Sequence, residues 1–137
     1  MKLLITGANG LLGVNLIRQL VADHIEVKAF VRPAADLKSL QDLACEVFYG
    51  DISSYNDISD ALKDCDGIIH AASTTNILPL DFEYFKNANI IPTEHVVRAV
   101  LAQGNKRMVY VSTANTFAPG SKENPGSESS PFSLQRY

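Results

Sequence analysis

The stretch Lys2-Leu3-Leu4-Ile5-Thr6-Gly7-Ala8-Asn9-Gly10-Leu11-Leu12-Gly13 decides how the rest of the chain reads. Leu3 to Ile5 is an apolar run too short for a helix and predicts a β-strand. Leu11, Leu12, Leu16, Ile17, Leu20 and Val21 then recur at helical spacing. Three glycines spaced three apart stand at the junction. Gly7 lets the chain turn off the strand, Gly10 lets backbone approach a ligand with no Cβ in the way, and Gly13 lets the helix pack close to the sheet. The first N–H groups of such a helix lack partners within it and lie at the positive end of its dipole, so the junction reads as a phosphate cradle. The competing reading is an ordinary glycine-rich strand-to-helix turn.

Outward from that junction the chain alternates strand and helix, without internal repeats or low-complexity tracts. A second strand is expected over Glu26–Val31 after a turn at Asp23-His24, and Pro33 then restarts the chain as a short helix carrying Leu37, Leu40 and Leu43. The third strand is Glu46–Tyr49. Ser54 and Asp57 have capping-box spacing ahead of Ile58, Ala61, Leu62 and Cys65, which predicts a helix. The fourth strand is expected over 67–71. A long helix follows from about Asp81 to Gln103, with Val96, Val97, Val100 and Leu101 inward, a kink at Pro92 and Gly104 as a left-handed cap. A fifth strand is expected over 107–112, and beyond Ala118 the chain turns to Gly, Ser, Pro and Glu and reads as irregular. Alternation of this kind predicts an α/β fold, a parallel sheet with helices on both faces.

A chain of 137 residues fits one domain that buries about two-thirds of the surface its unfolded form exposes. Twelve Lys and Arg against 15 Asp and Glu, a formal charge of −3, offer no general attraction to nucleic acid or to acidic membranes, so neither is expected as a partner. No stretch approaches the roughly 18 apolar residues of a membrane span, and the first residues enter a strand instead of an apolar leader, so a soluble, cytoplasmic protein is expected. Cys45 and Cys65 have no His or Cys nearby at metal-ligand spacing, and they read as reduced packing residues with no metal site.

Five stretches together resemble the extended short-chain dehydrogenase/reductase superfamily, which includes dihydroflavonol-reductase-like enzymes and NAD-dependent nucleotide-sugar epimerases and dehydratases. They are Thr6 to Gly13, Gly50-Asp51-Ile52 after strand 3, His70-Ala71-Ala72-Ser73 after strand 4, Asn89 in the long helix, and Val109 to Ala114 on strand 5. The resemblance covers residues 1–118 and implies a Rossmann-type doubly wound parallel sheet of order 3-2-1-4-5, ending before the later strands. It implies a nicotinamide dinucleotide held by Gly7, Asn9, Gly10, Leu11, Leu12 and Gly13, by Ala71, Ala72 and Ser73, by Asn89, and by Val111 and Ser112. Asp51 is implied as acceptor from the adenine amino group with Ile52 packed near the base; the plainer reading has Asp51 capping a turn. His70, on an apolar strand, reads as a satisfied core histidine before it reads as a catalytic base.

Cofactor choice turns on the tip of strand 2. NAD-preferring relatives place an acid there for the ribose hydroxyls, whereas this chain has Val31 and then Arg32, whose fork of donors suits the 2′-phosphate of NADP. NADP(H) is therefore expected, with NAD as the alternative. The superfamily's catalysis uses a Ser or Thr, a Tyr, and a Lys four residues after the Tyr, the ammonium lowering the phenol pKa towards the working pH. Thr113, with Ser112 in reserve, matches the hydroxyl, and Tyr137 lies at about the expected interval without the partner Lys. Residues 119–137 are accordingly expected to lead towards catalytic and substrate-binding segments of a longer oxidoreductase acting on a small carbonyl or hydroxyl substrate. An epimerase or dehydratase, or a non-catalytic dinucleotide sensor, is the alternative. The 137 residues alone are expected to be inactive and to self-associate through an exposed strand 5.

Overall fold

A computed structural model describes residues 1–74, 81–104 and 106–132. Five parallel strands, β1 (Lys2–Thr6), β2 (Glu26–Val31), β3 (Glu46–Tyr49), β4 (Gly67–His70) and β5 (Arg107–Tyr110), lie in the order β3-β2-β1-β4-β5. This is the parallel sheet expected from the alternation, in the doubly wound Rossmann order that the resemblance implies. Thr6 stands opposite Phe30 on one side and His70 on the other, so three strand ends meet where the order reverses. Open α/β sheets bind their ligands at that edge.

Helices α1 (Leu11–Ala22), α2 (Tyr55–Leu62) and α4 (Ile91–Gln103) flank the sheet, with a short α3 (Phe82–Phe85) and a π-helical turn, Lys86–Ile90, leading into α4. Successive residues of β1 point to opposite faces. Leu4 joins Phe30, Ile58, Leu62, Ile68 and Val96 in one core cluster, and Ile5 joins Val14, Ile17, Val27, Val31 and Leu40 in another. Both are fully buried, each side chain contributing about 1.5–3 kcal/mol relative to exposure.

Several expectations change in detail. The helix expected over 81–103 is three pieces, because Pro92 has no N–H to continue the α-helical ladder and sits in the first turn of α4, where that loss costs nothing. Val96 and Ala99 are buried, but Val97 is 39% and Leu101 75% exposed, so the inward stripe is narrower than the apolar pattern suggested. Gly104 ends α4 with φ 56° and ψ 158°, an extended positive-φ conformation essentially restricted to glycine instead of the left-handed cap expected. Between Pro33 and β3 the expected short helix is a 3₁₀ turn, Lys38–Leu40. Strands 4 and 5 end at His70 and Tyr110, one and two residues early.

One lysine lies inside the core. Lys28 of β2 is 4% exposed; its ammonium pairs with Asp64, approaches Glu46 at 3.4 Å and donates to Ala61 O at 3.2 Å. Lys2 closes the set, 2.5 Å from both Glu46 and Asp64. Two cations and two anions thus neutralise each other at the end of the sheet opposite the glycine junction. Cys45 and Cys65 are free, and burial pushes both thiols up, as expected of packing residues.

Candidate functional site

The glycine junction is built as its spacing predicts. Gly7 adopts φ +68°, and a Cβ there would lie 2.9 Å from the backbone of Ala71 and Ala72, so the loop and the end of β4 are in backbone contact. A Cβ on Gly13 would lie 2.1 Å from Gly7 O, which forces the first turn of α1 against the loop. Gly10 donates to Gly7 O at 3.0 Å and stands at the N-cap of α1 with no side-chain cap and no acid in the first turn. The N–H groups of Leu11, Leu12 and Gly13 are thereby left for an anion.

A cleft of about 670 Å³ opens over this junction. Gly7, Asn9 and Gly10 line its floor, Arg32 the tip of β2, Asp51 and Ile52 the loop after β3, and Ala71, Ala72 and Ser73 the loop after β4. These residues, scattered over 67 positions of sequence from 7 to 73, are thus gathered on one surface. Asp51 Oδ1 accepts from Ser53 N at 2.8 Å and Ser53 Oγ at 2.7 Å, bonds that hold its carboxyl below the usual range. It therefore caps the turn and lines the cleft at once. Gly50 lets the Phe30 ring lie close, since a Cβ would meet it at 2.8 Å.

Other expected residues lie outside the lining. Leu11 is 87% and Leu12 47% exposed at the start of α1. Asn89 works behind the cleft: its Oδ1 accepts from Thr74 N at 2.8 Å and Ser73 Oγ at 3.3 Å, and its Nδ2 donates to Thr74 O at 3.4 Å. Val111 donates its N–H to His70 O, while Ser112 and Thr113 line a second, neighbouring cavity of about 660 Å³ with Asn115, Phe117 and Glu128. Tyr137 lies outside the described residues. Phe30, Ser53, Tyr84, Asn87, Ala88 and Pro92 also line the cleft and were not singled out for it; only Pro92 had a sequence signal, as the break in a helix.

His70 is 1% exposed with both ring nitrogens bonded, Nδ1 to Thr6 Oγ1 at 2.7 Å and Nε2 to Thr93 Oγ1 at 3.0 Å. Burial pushes its pKa down to about 4. It is a satisfied core histidine.

The cleft suits a dinucleotide in shape and chemistry: uncapped N–H groups for pyrophosphate, small residues where a chain passes close, and a carboxylate beside an apolar wall for an adenine. No helix among the described residues is long and apolar enough to cross a membrane. A family model described as NAD(P)H-binding matches residues 7–136. Among curated relatives, a 4-hydroxy-2-methyl-3-oxo-4-farnesyl-3,4-dihydroquinoline-1-oxide ketoreductase of Stigmatella aurantiaca is 35% identical over 88% of this chain and 36% of its own length. UDP-glucose 4-epimerase of Rickettsia bellii is 30% identical over 85% of this chain and 38% of its own. The solved UDP-glucose 4-epimerase of Thermus thermophilus, a complex with NAD, has the same fold, with a TM-score of 0.84 at 18% identity over 97% of this chain and 44% of its own. The chain spans little more than a third of the length of these curated relatives. Fold, cleft and relatives agree, and the chain belongs to the NAD(P)H-binding family within the extended short-chain dehydrogenase/reductase superfamily.

Proposed function

We propose that the protein is the dinucleotide-binding part of a cytoplasmic reductase that prefers NADP(H) and acts on a small carbonyl or hydroxyl substrate. The observation that carries the cofactor preference is Arg32. It lines the cleft at the tip of β2 and is exposed, and its guanidinium has neither a hydrogen bond nor an ion pair among the described residues. No carboxylate follows Val31 to accept ribose hydroxyls, and an unengaged guanidinium is suited to a 2′-phosphate. Gly7, Asn9, Gly10 and the first N–H groups of α1 hold the pyrophosphate, Asp51 and Ile52 receive the adenine, and Ala71, Ala72 and Ser73 leave room for the rest of the dinucleotide. Bound there, the nicotinamide supplies or accepts hydride. Residues 1–118 form this binding unit and 119–137 lead on from it. The Thr113 hydroxyl, with Ser112 beside it, orients the substrate oxygen, and Tyr137 exchanges the proton.

The 30% identity to an epimerase supports a second reading, a nucleotide-sugar epimerase or dehydratase. Net consumption of NADPH by the whole enzyme separates the two, because an epimerase returns its hydride to the substrate.

Calorimetric titration tests the cofactor assignment. NADPH is expected to bind at least tenfold tighter than NADH, a difference of about 1.4 kcal/mol, and Arg32→Ala to remove that preference. Equal affinities in the unmutated protein overturn it.

A further inference from the structure

We propose that His70, together with Thr6 and Thr93, forms a hydrogen-bond relay of fixed direction that positions the β4 wall of the cofactor cleft. The inference rests on the dinucleotide reading of that cleft. Its direction follows from proton counting. The Thr93 hydroxyl donates to Asn89 O at 2.7 Å, and a hydroxyl has one proton. Towards His70 Nε2, 3.0 Å away, Thr93 can therefore only accept, which puts the imidazole proton on Nε2. Nδ1 is then a bare acceptor and takes the Thr6 hydroxyl proton over 2.7 Å. With its proton spent, Thr6 Oγ1 accepts from Ala72 N at 3.3 Å. The relay runs Ala72 N–H, Thr6, His70, Thr93, Asn89 C=O, and no link is reversible while the last acceptor is a carbonyl.

What it holds is the segment that passes the cofactor. Beyond His70 the chain leaves the sheet, and Thr6, a side chain of the neighbouring strand, partners the Ala72 N–H in place of the ladder. Two residues on, Thr74 is tied to the Asn89 amide. The segment from Ala72 to Thr74 is thus held at both ends by groups that meet through one imidazole. Backbone contact between Gly7 and Ala71-Ala72 leaves no room for it to shift without moving the phosphate loop. The neutral ring that the relay requires agrees with a pKa near 4. Protonation would leave the Thr6 hydroxyl proton with no acceptor in the relay.

Two measurements test the proposal. Nitrogen-15 NMR of the histidines in the native protein is expected to show His70 protonated on Nε2 alone at neutral pH; a proton on Nδ1 overturns the relay, and this reading needs no variant to fold. NADPH titration of paired variants tests its purpose. Thr6→Val and Thr93→Val keep side-chain shape and lose the hydroxyl, and each is expected to weaken binding at least fivefold. Thr6→Ser and Thr93→Ser keep the hydroxyl and are expected to bind within twofold of the native protein. Valine variants that bind as tightly as the native protein overturn the positioning role while leaving the cofactor reading intact. If the native protein binds neither NADPH nor NADH, the cofactor reading fails and takes the positioning role with it, and the tautomer still reports on the hydrogen bonds alone.

Discussion

Gly10 and Gly13 share the motif's spacing, and their surroundings bear out the different parts the motif gives them. A Cβ on Gly13 would overlap Gly7 O at 2.1 Å, whereas one on Gly10 meets only Gly7 O at 3.2 Å and otherwise projects where a ligand would lie. Gly13→Val is therefore expected to destabilise the fold by several kcal/mol, on the order of the larger overpacking penalties. Gly10→Val is expected to keep a near-native circular dichroism spectrum while calorimetry shows no dinucleotide binding; normal binding by that variant would refute the cradle. His24 offers the reverse case. It ends α1 with φ 57°, and its N–H and that of Ile25 bond back to Val21 O and Leu20 O, at 3.0 and 2.9 Å, in the pattern of a helix stop that favours glycine at its centre. His24→Gly is expected to stabilise the protein by up to about 1 kcal/mol, visible as a rise in thermal midpoint.

Between elements, the ion cluster joining β1, β2, β3 and the end of α2 sets the pH response. Asp64 and Glu46 are held below the usual carboxylate range, first by the Lys2 ammonium, and Lys2 is raised, first by Asp64. Depressed carboxylates stabilise fully above their unfolded pKa of about 4 and lose that contribution as pH falls through their folded values; raised Lys2 contributes fully below about 10.5 and loses it as pH rises further. Thermal midpoints are expected to be flat across neutral pH and to fall at both extremes. Asp64→Asn strips Lys28 of its nearest anion and is expected to cost on the order of 2 kcal/mol, while Lys28→Leu is expected to be near neutral because it removes the buried charge itself. A larger loss for Lys28→Leu than for Asp64→Asn would reverse that ranking. None of this cluster was legible in the sequence beyond the oddity of a lysine inside an apolar strand, because its partners come from elements whose register only the assembled sheet defines. The bounds of β2 and β3 were legible, since apolar runs end there in turn residues. So was the interruption at Pro92, but whether it becomes a kink or a π turn depends on contacts far along the chain. Arg32 and Asp51 could be named from the resemblance, whereas Phe30, Tyr84 and Asn87 could not, as no local pattern says which side chains turn towards a cleft made by other segments.

For the molecule as a whole, β5 is the last strand of the sheet, and among the described residues nothing pairs with its outer edge. Val109 and Tyr110 are 56% and 53% exposed. At the start of this strand the Lys106 ammonium donates to Cys65 O and to Lys63 O, so it is engaged at the end of α2 and does not project along the open edge. The 137-residue chain is expected to self-associate through this edge, with light scattering rising with concentration and Val109→Lys suppressing the rise. A monodisperse monomer at high concentration would refute it. The central place of β1 has a consequence for how the protein is made. Thr6 and its β4 partner His70 are 64 positions apart, and β2 and β3 are both synthesised in between. From Phe30, which pairs with Thr6 in β2, to His70 is 40 positions, so at about 5–20 residues per second the nascent β1 waits roughly 2–8 s with one flank paired and the other open. During that interval the emerging half-sheet presents Leu4, whose partners Ile68 and Val96 are made last, to whatever it meets at the ribosome, and a chaperone that shields a strand edge would act on this protein before its cleft exists.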